Sequence, residues 1–341
     1  MLLLPLNVKA ISASSYIVMD SDNNRVLEGH NIHQKSLIAS ISKIMTAMVV
    51  INNTNLDKEI TIGNEVLKSY GSGIYIEPGE KISIQNLLYG LMLRSGNDAA
   101  ITLAENVGGS MEGFTYLMNE LASSLNMNDT HFINSSGLEE GDEANISTTY
   151  DMALLSSYAI KNKEYQKIVS TKNITVKTNY KTYIWHNKNK LLNTYKYTTG
   201  GKTGFTKKAK RTLVTNASKK GINLTMVTFN DGNDFNDHQA LYEKYFKVLK
   251  RYKIISKGSI KTKYPNTYID NNYYASLSPK ELDNIKLFIN YYPRNSSNVI
   301  GYVDIMLNDT LLHKEPIYQK VYIESQESFW SKLKRKITSL W

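Results

Sequence analysis

The chain has 341 residues, enough for two domains whose cores need no covalent staples. Hydrophobic residues make up 41% and charged ones 21%, an ordinary globular balance, and the absence of cysteine excludes disulfide frameworks, cysteine-based zinc ribbons and thiol nucleophiles. A formal charge of +10 calls for an anionic partner, such as a lipid surface or an acidic polymer. Nucleic acid is set aside, because no aromatic-interleaved basic motif, zinc finger or helix-turn-helix signature is present.

The start, residues 1–10, is apolar but short and lacks a basic leader, and is expected to be the remnant of a signal peptide. Tyr16-Ile17-Val18-Met19 and Arg25-Val26-Leu27 bracket a polar turn and predict a hairpin. Ala39 to Ile51 reads as a buried helix. Ile84 to Leu93 and Asp98 to Val107 read as two helices broken at Arg94-Ser95-Gly96-Asn97, and further helices are expected over Met111 to Leu125 and Thr149 to Lys161. Strands come next, around Thr175-Val176, Tyr183-Ile184-Trp185, Thr212-Leu213-Val214 and Leu224-Thr225-Met226-Val227, then a helix over Phe235 to Leu249. An α/β fold results, with a sheet covered by helices. The Tyr-rich, strand-like remainder suggests a boundary near Tyr252. The expected organisation is thus a first domain over 11–251, a small all-β domain over 252–324 and a C-terminal segment over 325–341.

Three short motifs carry chemistry. In Ser40-Ile41-Ser42-Lys43 the serine and lysine share a helix face, so the amine can reach the hydroxyl. A serine attacks well only when a neighbouring base takes its proton, and a lysine can be that base if burial and positive charge lower its pKa. Ser95-Gly96-Asn97 offers a second hydroxyl to pass a proton to a leaving amine, and an amide to hold Lys43. Lys202-Thr203-Gly204, followed by Phe205, offers positive charge, a hydroxyl and room for close approach, which suits a carboxylate. Each pattern alone is weak: Ser331-Lys332-Leu333-Lys334 and Ser296-Ser297-Asn298 match the first two by chance. A phosphate loop is excluded because its first glycine would fall on Lys196.

Together and in order, the motifs are those of β-lactamases and penicillin-binding proteins. Their flanks, Ala39-Ser40-Ile41-Ser42-Lys43-Ile44-Met45-Thr46, Leu93-Arg94-Ser95-Gly96-Asn97-Asp98-Ala99-Ala100 and Lys202-Thr203-Gly204-Phe205-Thr206, resemble the serine D-alanyl-D-alanine carboxypeptidases, low-molecular-weight penicillin-binding proteins. Thr130-His131-Phe132, Gly137-Leu138, Ser147-Thr148, Asp151-Met152-Ala153 and Asn187-Lys188-Asn189-Lys190-Leu191-Leu192 extend the likeness to nearly the whole chain. The resemblance implies a β-lactamase/transpeptidase-like domain: an antiparallel sheet flanked by helices, with a helical subdomain, then the β domain. It implies that Ser40 attacks the bond between the terminal D-alanines of a peptidoglycan stem peptide, with Lys43 as base and Ser95 and Asn97 relaying the proton. Lys202, Thr203 and Gly204 would receive the terminal carboxylate, and the N–H groups of Ser40 and Phe205 would form the oxyanion hole. β-Lactam antibiotics would acylate Ser40. No cofactor is implied.

The chain departs from the family at Ile38, where proline is usual, at Ser42, where threonine is, and at Lys210, where glycine is. Lys188 matches the family's basic residue about one position out of register. A β-lactamase is disfavoured by Ser-Gly-Asn at 95–97 and by the extra domain, and a catalytically idle wall binder by the intact motif residues. Six scattered histidines show no metal-ligand spacing and no metal is expected; Asp231, Asp234 and Asp237 read as helix caps. At the C-terminus Phe329, Trp330, Leu333, Ile337, Leu340 and Trp341 fall within an arc of about 120° at the helical period, with lysines around it. An amphipathic helix lying on an anionic membrane surface is expected, on the outer face of the cell membrane, with packing on its own β domain as the alternative.

Overall fold

The computed structural model describes residues 11–291 and 298–320; the expected leader remnant and C-terminal helix lie outside the described residues. The chain divides into two compact units, one running to Arg251 and including Ser276–Pro279, the other made of Tyr252–Ala275 and the chain from Lys280.

In the first unit, β1 (Ser15–Asp20) and β2 (Arg25–His30) form the expected hairpin. The 3₁₀ turn Ala39–Ser42 leads into α1 (Lys43–Asn53), whose residues from Lys43 to Val50 are all buried. A helix apolar on every side belongs inside a fold, and α1 runs through the middle of the main core. Next come α2 (Ile84–Tyr89), α3 (Asn97–Gly108), α4 (Met111–Ser124), α5 (Thr149–Ala159) and α6 (Lys163–Ser170). Side chains start four of these where the sequence offers a capping group. Ser83, Ser110 and Thr148 accept the N–H of Asn86, Gly113 and Asp151, and Asn162 accepts those of Glu164 and Tyr165. The eight-residue α6 was not expected, because only Tyr165, Ile168 and Val169 mark its buried face.

The hairpin β3 (Asn173–Lys177) and β4 (Thr182–His186) precedes β5 (Thr198–Thr206), β6 (Lys210–Lys219), β7 (Ile222–Phe229) and α7 (Asp234–Val248). The five-stranded sheet has the order β2-β1-β7-β6-β5, with antiparallel neighbours throughout. Alternation along the strands divides its two faces. Ile17, Met19, Val214, Val227 and Phe229 join the core built around α1 and α5, whereas Val18, Leu224 and Met226 pack under Leu241, Tyr242 and Phe246 of α7. Covering both faces leaves β7 buried nearly end to end, with Thr225 and Thr228 among its buried residues. His238 is fully buried between the hydroxyls of Thr215 (2.6 Å) and Thr228 (3.1 Å), and burial pushes its pKa down to about 3, so it is a neutral structural group.

The acidic trio at the start of α7 does not act as simple caps. Asp237 accepts the Ser12 N–H (3.0 Å), Asp231 bonds the Ser12 hydroxyl and the Asn233 N–H, and Asp234 pairs with Arg211. Tertiary partners outcompete the helix end because all three carboxylates are buried.

The second unit holds a five-stranded antiparallel sheet. Its order is Gly258–Ser259, then β8 (Thr267–Ile269), β11 (Thr310–Gln319), β10 (Val299–Leu307) and β9 (Ile285–Tyr291). Ile269, Ile300, Val303, Ile305 and Ile317 form its own small core.

Candidate active site

Ser40 lies in the 3₁₀ turn just before α1, and Lys43 is the first residue of that helix. Ala39 is held at φ +50°, a left-handed value unfavourable for alanine. Gly137, at φ +83°, presses against this turn so closely that a Cβ there would lie 2.0 Å from the Ala39 carbonyl oxygen. The turn that carries Ser40 is therefore held by a neighbour far along the chain.

Lys43 is fully buried, and its Nζ lies 3.2 Å from Ser40 Oγ, 2.7 Å from Asn97 Oδ1 and 2.6 Å from the Ser136 carbonyl oxygen. A neutral amine has two N–H donors and one lone pair. With Asn97 and Ser136 accepting both donors, the lone pair is left for Ser40. Burial first, and then the charge of Lys188, bring the Lys43 pKa down to about 7, with Asp98 pulling it partly back. The position at a helix start acts in the same direction as Lys188. The Ser136 carbonyl is brought in by a loop fixed from several sides: Thr46 donates to the Ser135 carbonyl (2.7 Å), Ser135 to the Ala100 carbonyl (3.0 Å), and Asn134 accepts the Gly137 N–H (2.8 Å).

Ser95 reaches the same place by an irregular route. After α2 the chain makes a π-helical turn, Gly90–Arg94, and Ser95 closes it at φ +64°. Such turns widen a helix by one residue and re-aim the chain beyond them. Asn97, 4% exposed like Ser95, then starts α3 with its Oδ1 on the Lys43 amine. Lys202, on β5 and 1% exposed, donates to Ser95 Oγ (3.0 Å) and to the Thr203 carbonyl (2.7 Å). Burial, then Lys43 and Lys188, hold its pKa well below the ordinary lysine value. Gly204 brings the strand up to Ser40: a Cβ there would sit 3.1 Å from the Ser40 nitrogen and 2.3 Å from Thr212 Oγ1.

An open cleft of about 350 Å³ meets these groups, with Ser40, Ser95, Thr203, Phe205, Lys188 and Arg211 among its lining residues. All nine residues singled out in the sequence (Ser40, Lys43, Ser95, Asn97, Lys188, Lys202, Thr203, Gly204 and Phe205) thus converge on one place. Phe205 is 64% exposed at the rim. Lys188 donates to Ser72 Oγ (3.3 Å), and partial burial, then Arg94, keep its pKa below the usual value. The sequence reading missed Ser72, Lys190, Arg211 and the Ser136 carbonyl. Arg211 was findable, because a tight hairpin after Phe205 pairs it with that residue across β5 and β6. Asp234 grips its guanidinium through both oxygens (2.6 and 3.1 Å). The Ser136 carbonyl carries no side-chain signature at all. Among the described residues no group of acidic or histidine side chains could hold a metal ion.

The family described as D-alanyl-D-alanine carboxypeptidase (Peptidase_S11) matches residues 5–233. The chain is 33% identical over 228 residues to D-alanyl-D-alanine carboxypeptidase DacF of Bacillus subtilis, an alignment covering 64% of this chain and 58% of that protein. It is 38% identical over 200 residues to the D-alanyl-D-alanine carboxypeptidase of Streptomyces sp. K15, covering 53% of this chain and 68% of that one. Among solved structures, D-alanyl-D-alanine carboxypeptidase DacD from Francisella tularensis superposes with a TM-score of 0.71 at 25% identity, covering 93% of this chain and 95% of its own.

Proposed function

The chain belongs to the D-alanyl-D-alanine carboxypeptidase family, Peptidase_S11, and on that premise we propose that it is a serine hydrolase that removes the terminal D-alanine from peptidoglycan stem peptides. The observation that carries this reading is the Lys43 amine, with a pKa near 7, 3.2 Å from Ser40 Oγ while Asn97 and Ser136 take both donors of its neutral form.

In the proposed reaction, neutral Lys43 takes the Ser40 proton as Oγ attacks the carbonyl carbon between the two D-alanines. The carbonyl oxygen becomes an oxyanion facing the N–H groups of Ser40 and Phe205. The C–N bond breaks as the proton passes by way of Ser95 to the leaving amine. Lys202, donating to Ser95 Oγ, orients that hydroxyl for the transfer. The leaving residue's carboxylate meets the Thr203 hydroxyl and the Arg211 guanidinium, with Lys202 bonded to the Thr203 carbonyl behind them. Water then attacks the acyl-enzyme, returning the Ser40 proton and releasing the shortened peptide. A β-lactam opened by Ser40 would stop at the acyl stage.

The same reading places the protein outside the cytoplasmic membrane. No helix among the described residues is long and apolar enough to cross a bilayer. Attachment to an anionic membrane surface rests on the aromatic and lysine pattern of Phe329 to Trp341.

Release of D-alanine from a peptide ending in D-Ala-D-Ala, together with covalent labelling by a fluorescent penicillin, tests the proposal. Both should occur in the wild type and vanish in Ser40→Ala. A folded wild type that takes the label but releases no D-alanine would overturn the carboxypeptidase assignment. One that does neither would overturn the acyl-enzyme chemistry as well.

A further inference from the structure

Asp98 is buried, 4% exposed, and makes no ion pair among the described residues. Its carboxylate instead accepts backbone N–H groups: Ile74 (3.0 Å to each oxygen), Tyr75 (2.6 Å) and Ala99 (2.9 Å). Charge-assisted bonds of this kind are about twice as strong as neutral ones. The segment they hold, residues 70–76, contains no helix or strand to hold itself. Tyr75 within it adopts φ +61° with its ring 73% exposed, so an unfavourable backbone conformation is imposed from outside. Asn97 adds two ties, from its side-chain NH₂ to the Tyr70 carbonyl (2.6 Å) and from its N–H to the Ser72 carbonyl (2.7 Å). Further out, Lys181 reaches the Tyr75 carbonyl (2.9 Å) and the Tyr70 hydroxyl reaches the Glu139 carbonyl (3.0 Å).

Building on the proposed acyl-transfer function, we infer that Asp98 is a positioning residue for the reaction. Its buried carboxylate fixes the 70–76 segment as a wall of the substrate cleft, placing Ser72 and, through it, Lys188 beside the peptide. Asn97 and Asp98 therefore act as a pair facing two ways. Asn97 Oδ1 orients the Lys43 amine, while the next residue sets the wall that the substrate lies against. Asp98 also stands close enough to Lys43 to bias its protonation. Among the described residues, Lys188 from the segment after β4 lowers that amine's pKa and Asp98 from α3 raises it, while Lys202 from β5 is coupled to the same amine.

The nearly isosteric Asp98→Asn variant separates this role from a purely structural one. KM for a D-Ala-D-Ala peptide should rise roughly tenfold or more. The acid limb of the penicillin acylation rate should move to lower pH, because a negative charge that raises the Lys43 pKa is gone. Asp98→Glu keeps the charge but displaces it, so it should raise KM while leaving the limb close to its wild-type position. If Asp98→Asn keeps both the wild-type KM and the wild-type limb, the inference is wrong. A lowered melting temperature with both unchanged would also overturn it, leaving Asp98 a stabilising group only. Should the variants not fold, hydrogen exchange on the wild type decides: the Ile74 and Tyr75 amides should be strongly protected, and rapid exchange there refutes the clamp. A wild type that neither takes penicillin nor releases D-alanine would count against the function, not against the clamp.

Discussion

Lowering the pH from 8 to 5 should slow acylation of Ser40 by a fluorescent penicillin by about a hundredfold. The reason is the state of Lys43, whose pKa falls from 10.5 to about 7 on burial beside Lys188. That lowering corresponds to about 5 kcal/mol between the charged and neutral amine, and it decides whether a base exists. With a pKa near 7, roughly nine-tenths of the amine is neutral at pH 8 and roughly one-hundredth at pH 5. An ordinary lysine would be neutral in only about 0.3% of molecules at pH 8. Stopped-flow acylation rates across pH 5 to 9, at penicillin concentrations well below saturation, should trace a single rising limb centred near 7. Because Lys202 and Lys188 titrate in the same field, the limb belongs to the lysine cluster. Lys188→Met removes a charge that lowers Lys43 and should therefore move the limb to higher pH. A rate flat from pH 5 to 9, or one still climbing steeply at 9, would refute the role given to Lys43. The linkage has a consequence for stability too. The unfolded chain keeps this proton up to about pH 10 while the native state releases it near 7. Stability contributed by this site should therefore rise with pH across that window.

Gly204→Ala would put a methyl 3.1 Å from the Ser40 nitrogen and against Thr212 Oγ1. Acylation should drop by about 100-fold or more, as when an oxyanion-hole donor is lost. Wild-type acylation in this variant would show that β5 does not shape the hole. Asp20 is fully buried, its second carboxylate oxygen has no hydrogen-bond partner, and burial raises its pKa to about 6. A raised acid is stabilising when protonated, so its contribution should grow as the pH falls from about 6 to 4. Asp20→Asn should therefore stabilise the protein at pH 7.5 by of order 2 kcal/mol in urea unfolding. A destabilised variant would mean that the ionised carboxylate is satisfied there.

Much of the first unit is legible from local patterns because its signals are local. Apolar runs, capping serines and a polar turn announce α1, α4 and the first hairpin, since helix starts and turns are decided by residues within a few positions. The motif residues are legible for a related reason: a serine and a lysine three apart stay neighbours through a helical turn, which makes the contact possible. Other features depend on backbone geometry that many sequences can adopt. Nothing in Gly90 to Arg94 announces a π-helical turn, and nothing at Ala39 or Ser95 announces a left-handed conformation. These costs are met by packing from distant segments, as Gly137 against Ala39 shows.

The amino-acid sequence by itself determined which groups are available for the chemistry: the Ser40–Lys43 pair, a second hydroxyl with its amide, and a lysine–threonine–glycine strand. It also determined the family resemblance those groups carry. Only the tertiary structure decided what state they are in and where they point. The role proposed for Lys43 depends on its full burial and on α3 and the loop at Ser136, whose Asn97 Oδ1 and Ser136 carbonyl occupy its donors. Lys202 faces Ser95 from inside the fold and leaves the cleft surface to Arg211 and Lys188. The physical reason is that protonation and hydrogen-bond direction depend on dielectric and on neighbours more than 50 residues away, such as Asn97 for Lys43.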